Sequence, residues 1–271
     1  MTLVSTEWLS KNLNKVKIID ASWHLVKNRN AIEEYNKEHL ENAIFFDLDK
    51  NSDRGKNLPH SHFLPSIKDH EKAVSEMGIL NNDRIIIYCY SDLISSCRAW
   101  FQFLYFGHDP KLVSILNGGM KKWKLEDRKV TNLKTKIIPS KYKATENNNM
   151  IKVKSQVDAN IKMKEFTVLD ARSKNRFLGL EPEPRPGIRG GSIEGSKSLP
   201  LDELVNAKDN TFLDKKKLKD VFNIKGINTN KIVMSCGSSV SASSLSLAYS
   251  LINDDYMAKI YVGSWTEYGR K

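Results

Sequence analysis

Cysteine is scarce in this chain and long apolar runs are missing. Only three cysteines, Cys89, Cys97 and Cys236, occur in 271 residues. That is too few for a disulfide framework, and none lies in a C-x-x-C pair of the kind that holds zinc or forms a dithiol redox motif. No stretch approaches the roughly 18 consecutive apolar residues of a membrane span. Residues 1–8 also lack the charged segment and apolar core of a secretory leader. These shortages predict a cytoplasmic protein in a reducing compartment, with no membrane association.

Charge of one sign is in excess. Lysine and arginine number 43 against 32 acidic residues, a formal net charge of +11. The lysines are spread along the chain among Asn and Ile, and short clusters such as Lys215-Lys216-Lys217 beside Asp214 read as the solvated face of a helix. A nucleic-acid partner is therefore not expected, and a small anionic substrate is the better use of the positive field. A hydrophobic fraction of 40% suffices to bury one large core or two moderate ones.

The chain repeats itself once. Asp20-Ala21-Ser22 returns as Asp170-Ala171-Arg172, each after an apolar strand. His39-Leu40-Glu41-Asn42-Ala43 returns as Ser192-Ile193-Glu194-Gly195-Ser196, and Ile85-Ile86-Ile87-Tyr88-Cys89 as Ile232-Val233-Met234-Ser235-Cys236. Gly118-Gly119-Met120-Lys121-Lys122-Trp123 returns as Gly263-Ser264-Trp265-Thr266-Glu267-Tyr268. The order is preserved, so a duplicated domain is expected, with residues 1–147 as the first copy and 148–271 as the second. Short β-branched strands alternate with helical patterns in each, which predicts an α/β fold with a mostly parallel sheet flanked by helices. One helix is predicted over residues 66–77, started by Ser66 and Asp69 and stopped by Gly78, and another follows Cys97. Residues 127–152, polar and poor in large apolar side chains, read as the linker.

Cys236 ends the apolar run 232–235 and opens the small-residue loop Gly237-Ser238-Ser239-Val240-Ser241, ahead of a helical pattern. A thiol between a strand end and a helix N-terminus faces backbone N–H groups and the positive end of the macrodipole, which favour the thiolate. That is the setting of a nucleophile. The competing reading is a buried structural cysteine.

The strand, Cys-loop and helix of the second copy, with a matching but different loop in the first, resemble the two-domain rhodanese-like sulfurtransferases. The resemblance covers nearly the whole chain and rests on several further pieces. These include Asp20-Ala21-Ser22-Trp23, Phe106-Gly107-His108, Asp170-Ala171-Arg172, Glu181-Pro182-Glu183-Pro184-Arg185 and residues 263–268. Thiosulfate-preferring members carry a loop similar to C-R-K-G-V-T, with cations facing an inorganic dianion. Here Cys236-Gly237-Ser238-Ser239-Val240-Ser241 is closer to the C-G-S-G-V-T loop of 3-mercaptopyruvate sulfurtransferases. The neutral loop points to an organic donor, with thiosulfate as the second choice.

The resemblance implies a set of site residues. Cys236 would be the nucleophile that carries a persulfide, and Gly237, Ser238, Ser239, Val240 and Ser241 would offer loop amides to the anionic sulfur. Arg176 and Arg185 would grip the donor carboxylate and ketone. A Ser, His and Asp relay would use Ser238 and Asp49, with the histidine open between His60 and His62 because the matching segment is two residues longer here. The first domain would supply the His and Asp. A thiol such as thioredoxin or a small dithiol would accept the sulfur, and no metal or organic cofactor would be needed.

Three positions depart from the family pattern. Ser239 replaces a loop glycine, which matters if φ is positive there. Val262 replaces an acidic residue before Gly263-Ser264-Trp265. Cys89 occupies the pseudo-active position of the first copy, followed by a loop without glycine, and with Cys97 it reads as structural. A phosphatase with a C-x5-R loop is strongly disfavoured by Ala242. A non-enzymatic persulfide carrier fed by a partner protein is the remaining alternative, and retention of both arginines favours the enzyme.

Overall fold

The computed structural model describes residues 2–26, 28–53, 62–227, 231–253 and 257–270. Ile85, Ile86 and Ile87 begin a strand whose every residue is buried, and Ile232, Val233 and Met234 do the same. Continuous rather than alternating apolar runs mark strands covered on both faces, as parallel sheets are. Each such strand is the centre of a five-stranded sheet.

The first sheet contains β1 (Leu3–Val4), β2 (Lys17–Asp20), β3 (Ala43–Phe45), β4 (Ile85–Tyr88) and β5 (Val113–Leu116) in the order β1-β5-β4-β2-β3. The second contains β6 (Ile151–Lys152), β7 (Thr167–Asp170), β8 (Lys197–Ser198), β9 (Ile232–Ser235) and β10 (Lys259–Tyr261) in the order β6-β10-β9-β7-β8. All pairings are parallel, and the two orders are the same, strand for strand. Helices α1 (Thr6–Ser10), α2 (Ala31–Lys37), α3 (Ile67–Glu76), α4 (Ser96–Tyr105) and α5 (Gly119–Leu125) belong to the first unit. Helices α6 (Lys154–Met163), α7 (Lys174–Leu178), α8 (Lys215–Ile224), α9 (Val240–Ser250) and α10 (Ser264–Tyr268) belong to the second.

Helix starts follow the sequence. Ser66 caps α3 by accepting from the Asp69 N–H, and Asp214 caps α8 by accepting from the Lys217 N–H. Helix α9 is buried on every side, so it shows no polar face despite its serines. Those hydroxyls are absorbed locally: Ser246 donates to the Ala258 carbonyl and Ser250 to the Leu247 carbonyl. Residues 126–147 form no helix or strand. They are pinned to the first unit where His39 and Thr131 exchange backbone hydrogen bonds.

The units are not two unbroken halves. The change from first to second falls between Asn147 and Asn148, but Asp53, His62 and Phe63 group with the second unit and Ala207–Thr211 with the first. Asp53 pairs with Phe63 across an antiparallel bridge. Lys121 donates to the Ala207 carbonyl, and Lys122 pairs with Asp209, which holds 207–211 to the first unit. Each unit has its own core, the first including Ile18, Ile86, Tyr88 and Trp123, the second Val168, Val233, Tyr261 and Trp265. No helix among the described residues is long and apolar enough to cross a membrane.

Strand order reverses beside β9 in the second sheet. The chain runs from β7 outward to β8, returns across β7 to β9, and continues the other way to β10. Such a switch point leaves a crevice beyond the carboxyl ends of the two adjacent strands, where parallel α/β sheets bind ligands. Cys236 leaves the end of β9, and Ala171 and Arg172 leave the end of β7.

Candidate active site

Cys236 is 1% exposed and stands between β9 and the loop into α9. The loop is strapped by three successive residues of α10. The Ser264 hydroxyl accepts from the N–H of Cys236 at 3.2 Å and of Ser239 at 3.1 Å, and itself donates to the Tyr261 carbonyl at 2.9 Å. The Trp265 N–H donates to the Cys236 carbonyl at 2.9 Å. Thr266 closes the strap with its N–H at 2.8 Å and its hydroxyl at 2.6 Å from the Gly237 carbonyl.

One expectation for the loop is corrected by this strap. The Ser239 amide is not available to an anionic sulfur, because it donates to Ser264. The amides of Gly237, Ser238, Val240 and Ser241 have no protein acceptor among the described residues. Ser239 has φ +62°, the left-handed backbone that favours glycine. A side chain there costs about 1 kcal/mol or more, and the position is nonetheless filled by serine.

The two predicted arginines converge on the loop. A Cβ placed on Gly237 would lie 2.8 Å from Arg185 Nη1 and 3.2 Å from Arg176 Nη2. Two guanidinium groups thus occupy the space over the Gly237 Cα, and any larger residue there would have to displace them. Arg185, only 8% exposed, also donates from Nη2 to the Ser238 hydroxyl at 2.8 Å. The same hydroxyl lies 2.8 Å from His62 Nδ1, and His62 is 1% exposed. Arg185 donates to the serine oxygen, and the Ser238 hydroxyl and His62 Nδ1 are within hydrogen-bond reach of each other, in either direction according to the tautomer of the ring. Hydroxyl, imidazole and guanidinium thus meet at one oxygen beside the Cys-loop. Such a set can orient an anion and carry a proton.

Behind the arginines lies a network that sequence reasoning did not assign. Glu183, with a side chain 1% exposed, bridges Arg172 Nη1 at 2.7 Å and Arg176 Nη2 at 2.6 Å. Arg172 also grips Asp170 and donates to the Gly191 carbonyl at 2.7 Å. Burial alone would lower the Arg172 pKa, but Asp170 and Glu183 outweigh it and raise it. The guanidinium groups of Arg172 and Arg189 lie 4.6 and 4.5 Å from the Trp265 ring centre, and the indole N–H donates to the Arg189 carbonyl at 2.7 Å. Glu183, Ser264 and Thr266 were visible only as members of the Glu-Pro-Glu-Pro-Arg and Gly-Ser-Trp-Thr motifs.

Val240 and Ser241 open the first turn of α9 and are buried. Asp49 belongs to the first unit, where it is exposed and accepts from the Trp23 indole at 3.1 Å. His60 lies outside the described residues. His62 was expected with the first domain and groups instead with the second, held there by Ser238 and Ser239.

Cys89 follows β4 as Cys236 follows β9, in a different setting. Its thiol donates to the Ser96 hydroxyl at 3.3 Å, and burial pushes its pKa up, with the Ser96 hydrogen bond opposing. Replacing it by alanine is expected to leave turnover within about twofold of wild type, since a buried thiol held protonated is a poor nucleophile. A large loss of kcat in Cys89→Ala protein that still folds would contradict this.

Residues 5–126 match the model of the rhodanese-like domain family. The chain is 35% identical to thiosulfate/3-mercaptopyruvate sulfurtransferase 2 of Arabidopsis thaliana, covering 98% of this chain and 83% of that protein. It is 33% identical to human 3-mercaptopyruvate sulfurtransferase, covering 98% and 91%. Among solved structures it superposes with a TM-score of 0.86 on SseA from Escherichia coli, described as having the rhodanese fold of 3-mercaptopyruvate sulfotransferases. Identity there is 29%, over 98% of this chain and 99% of that one. Similarity of this degree along nearly the full length of each chain makes this protein a member of the rhodanese-like sulfurtransferase family, an enzyme that moves sulfur from a donor to an acceptor.

Proposed function

We propose that the enzyme takes sulfur from 3-mercaptopyruvate, holds it as a persulfide on Cys236, and passes it to a thiol, releasing pyruvate. The convergence of Arg176 and Arg185 over Gly237, beside a loop with no cation of its own, carries the reading. A 2-oxo acid presents a carboxylate and a ketone to two planar forks, which suits arginine better than lysine.

In the first half-reaction the Cys236 thiolate attacks the donor sulfur. The S–S bond forms, the C–S bond breaks, and its electron pair stays on carbon as the pyruvate enolate. The relay of Ser238 and His62 takes the donor's thiol proton and returns it to the enolate carbon, so no proton is gained or lost overall. Sulfite leaving from thiosulfate needs no such proton, which is a second reason to prefer the organic donor. In the other half-reaction a thiol attacks the outer sulfur and restores the Cys236 thiolate. Thioredoxin or a small dithiol fits that role. Catalysis is assigned to the second sequence copy, residues 148–271, and the absence of disulfides among the three cysteines fits a reducing compartment such as the cytoplasm.

Steady-state kinetics with each donor and a common thiol acceptor test the proposal. A higher kcat/KM for mercaptopyruvate is expected, and Arg185→Lys should raise its KM about tenfold. A preference for thiosulfate would overturn the donor assignment. Turnover only in the presence of a protein donor would favour a carrier.

A further inference from the structure

We propose that Ser239 is a positioning residue for His62, an inference that rests on the relay reading above. Ser239 is fully buried and held at φ +62°. Every polar group it carries is engaged. Its N–H donates to Ser264 Oγ, its carbonyl accepts from Ser243 Oγ at 3.0 Å, and its hydroxyl donates to the His62 carbonyl at 3.2 Å.

Two neighbouring serines therefore grip His62 at two points. Ser238 meets the ring at Nδ1, and Ser239 meets the backbone. The bond to the carbonyl restrains the His62 main chain as the Ser238 contact restrains its ring, which limits how far the imidazole can turn from the serine oxygen. The Ser239 contact is long for a hydroxyl hydrogen bond, so its role is directional and its own binding contribution small. Glycine would relieve the left-handed backbone but has no hydroxyl to offer. The serine thus accepts local strain and in return ties the Cys-loop to a segment 177 residues away in sequence.

The consequence is a variant in which stability and activity part company. Ser239→Gly in the full chain is expected to melt no lower than wild type and to keep KM for mercaptopyruvate within about twofold. Its kcat should fall about tenfold, the order of loss that a displaced catalytic group produces. Ser239→Ala, which keeps the strain and loses the hydroxyl, should show the same fall in kcat with lower stability.

The decisive measurement is a double-mutant cycle of kcat with His62→Ala. If Ser239 acts through His62, Ser239→Gly changes kcat less than about twofold in the His62→Ala background. Wild-type kcat in Ser239→Gly, with His62→Ala impaired, would overturn this inference and leave the relay intact. A kcat for His62→Ala equal to wild type would overturn both. A glycine variant that lost stability and raised KM together would mark Ser239 as part of the scaffold and equally overturn the inference.

Discussion

Cys236→Ser protein is expected to fold as wild type does and to lose turnover with either donor by on the order of a thousandfold or more. Serine is nearly isosteric with cysteine, and the loop is held by backbone contacts from Ser264, Trp265 and Thr266 that the substitution leaves alone. A hydroxyl is a far weaker nucleophile at neutral pH and cannot carry the sulfur as a persulfide, so neither half-reaction has a substitute route. Mass spectrometry of wild-type protein exposed to donor without acceptor should show one added sulfur on the peptide containing Cys236, and none in the variant. Residual turnover within tenfold of wild type would sink the assignment of the covalent step.

Glu183→Gln is expected to destabilise the enzyme by about 3 kcal/mol, as removal of one partner from a buried charge network does. The carboxylate is buried and shared between Arg172 and Arg176. Two carboxylates, Asp170 and Glu183, face two guanidinium groups there, so the wild-type cluster is neutral. The amide leaves an uncompensated buried cation and can accept through only one oxygen. It also frees the Arg176 fork, so kcat/KM for mercaptopyruvate should fall about tenfold or more even where the protein is folded. Denaturant unfolding followed by kinetics below the transition separates the two effects. Stability within about 0.5 kcal/mol of wild type would show that the arginines find other partners and that the bridge is incidental.

Much of this architecture was legible in the sequence because the duplication wrote it twice. Four anchors in the same order predicted two parallel sheets, and the sheets have one strand order between them. Cys236 stood out by its place between a strand end and a helix start, whereas Arg176, Arg185 and Ser238 were named only because their motifs resemble those of the sulfurtransferase family. Glu183 was quoted but given no task, since nothing in a row of prolines and acids tells which arginine a carboxylate will face. The Ser264 hydroxyl escaped for a similar reason: its two donors, Cys236 and Ser239, are 28 and 25 residues away and meet it only when β10 lies beside β9. The choice between His60 and His62 hung on a two-residue insertion that spacing could not place. The left-handed conformation of Ser239 was foreseen as a condition, but not the bond to His62 that gives a serine reason to occupy it.

Gly119 in the first unit stands where Ser264 stands in the second, and both have left-handed backbones, with φ +52° and +48°. A Cβ at Gly119 would fall 2.4 Å from the Cys89 carbonyl oxygen. The first copy therefore has no room for the side chain that straps the loop of the second, although it still carries a cysteine at the end of the matching strand. Restoring a strapped loop there would require the main chain to move before any side chain could be gained. Main chain thus closes in the loop after Cys89 at the point where a side chain holds the loop after Cys236, and a Gly119→Ser exchange alone does not turn one arrangement into the other.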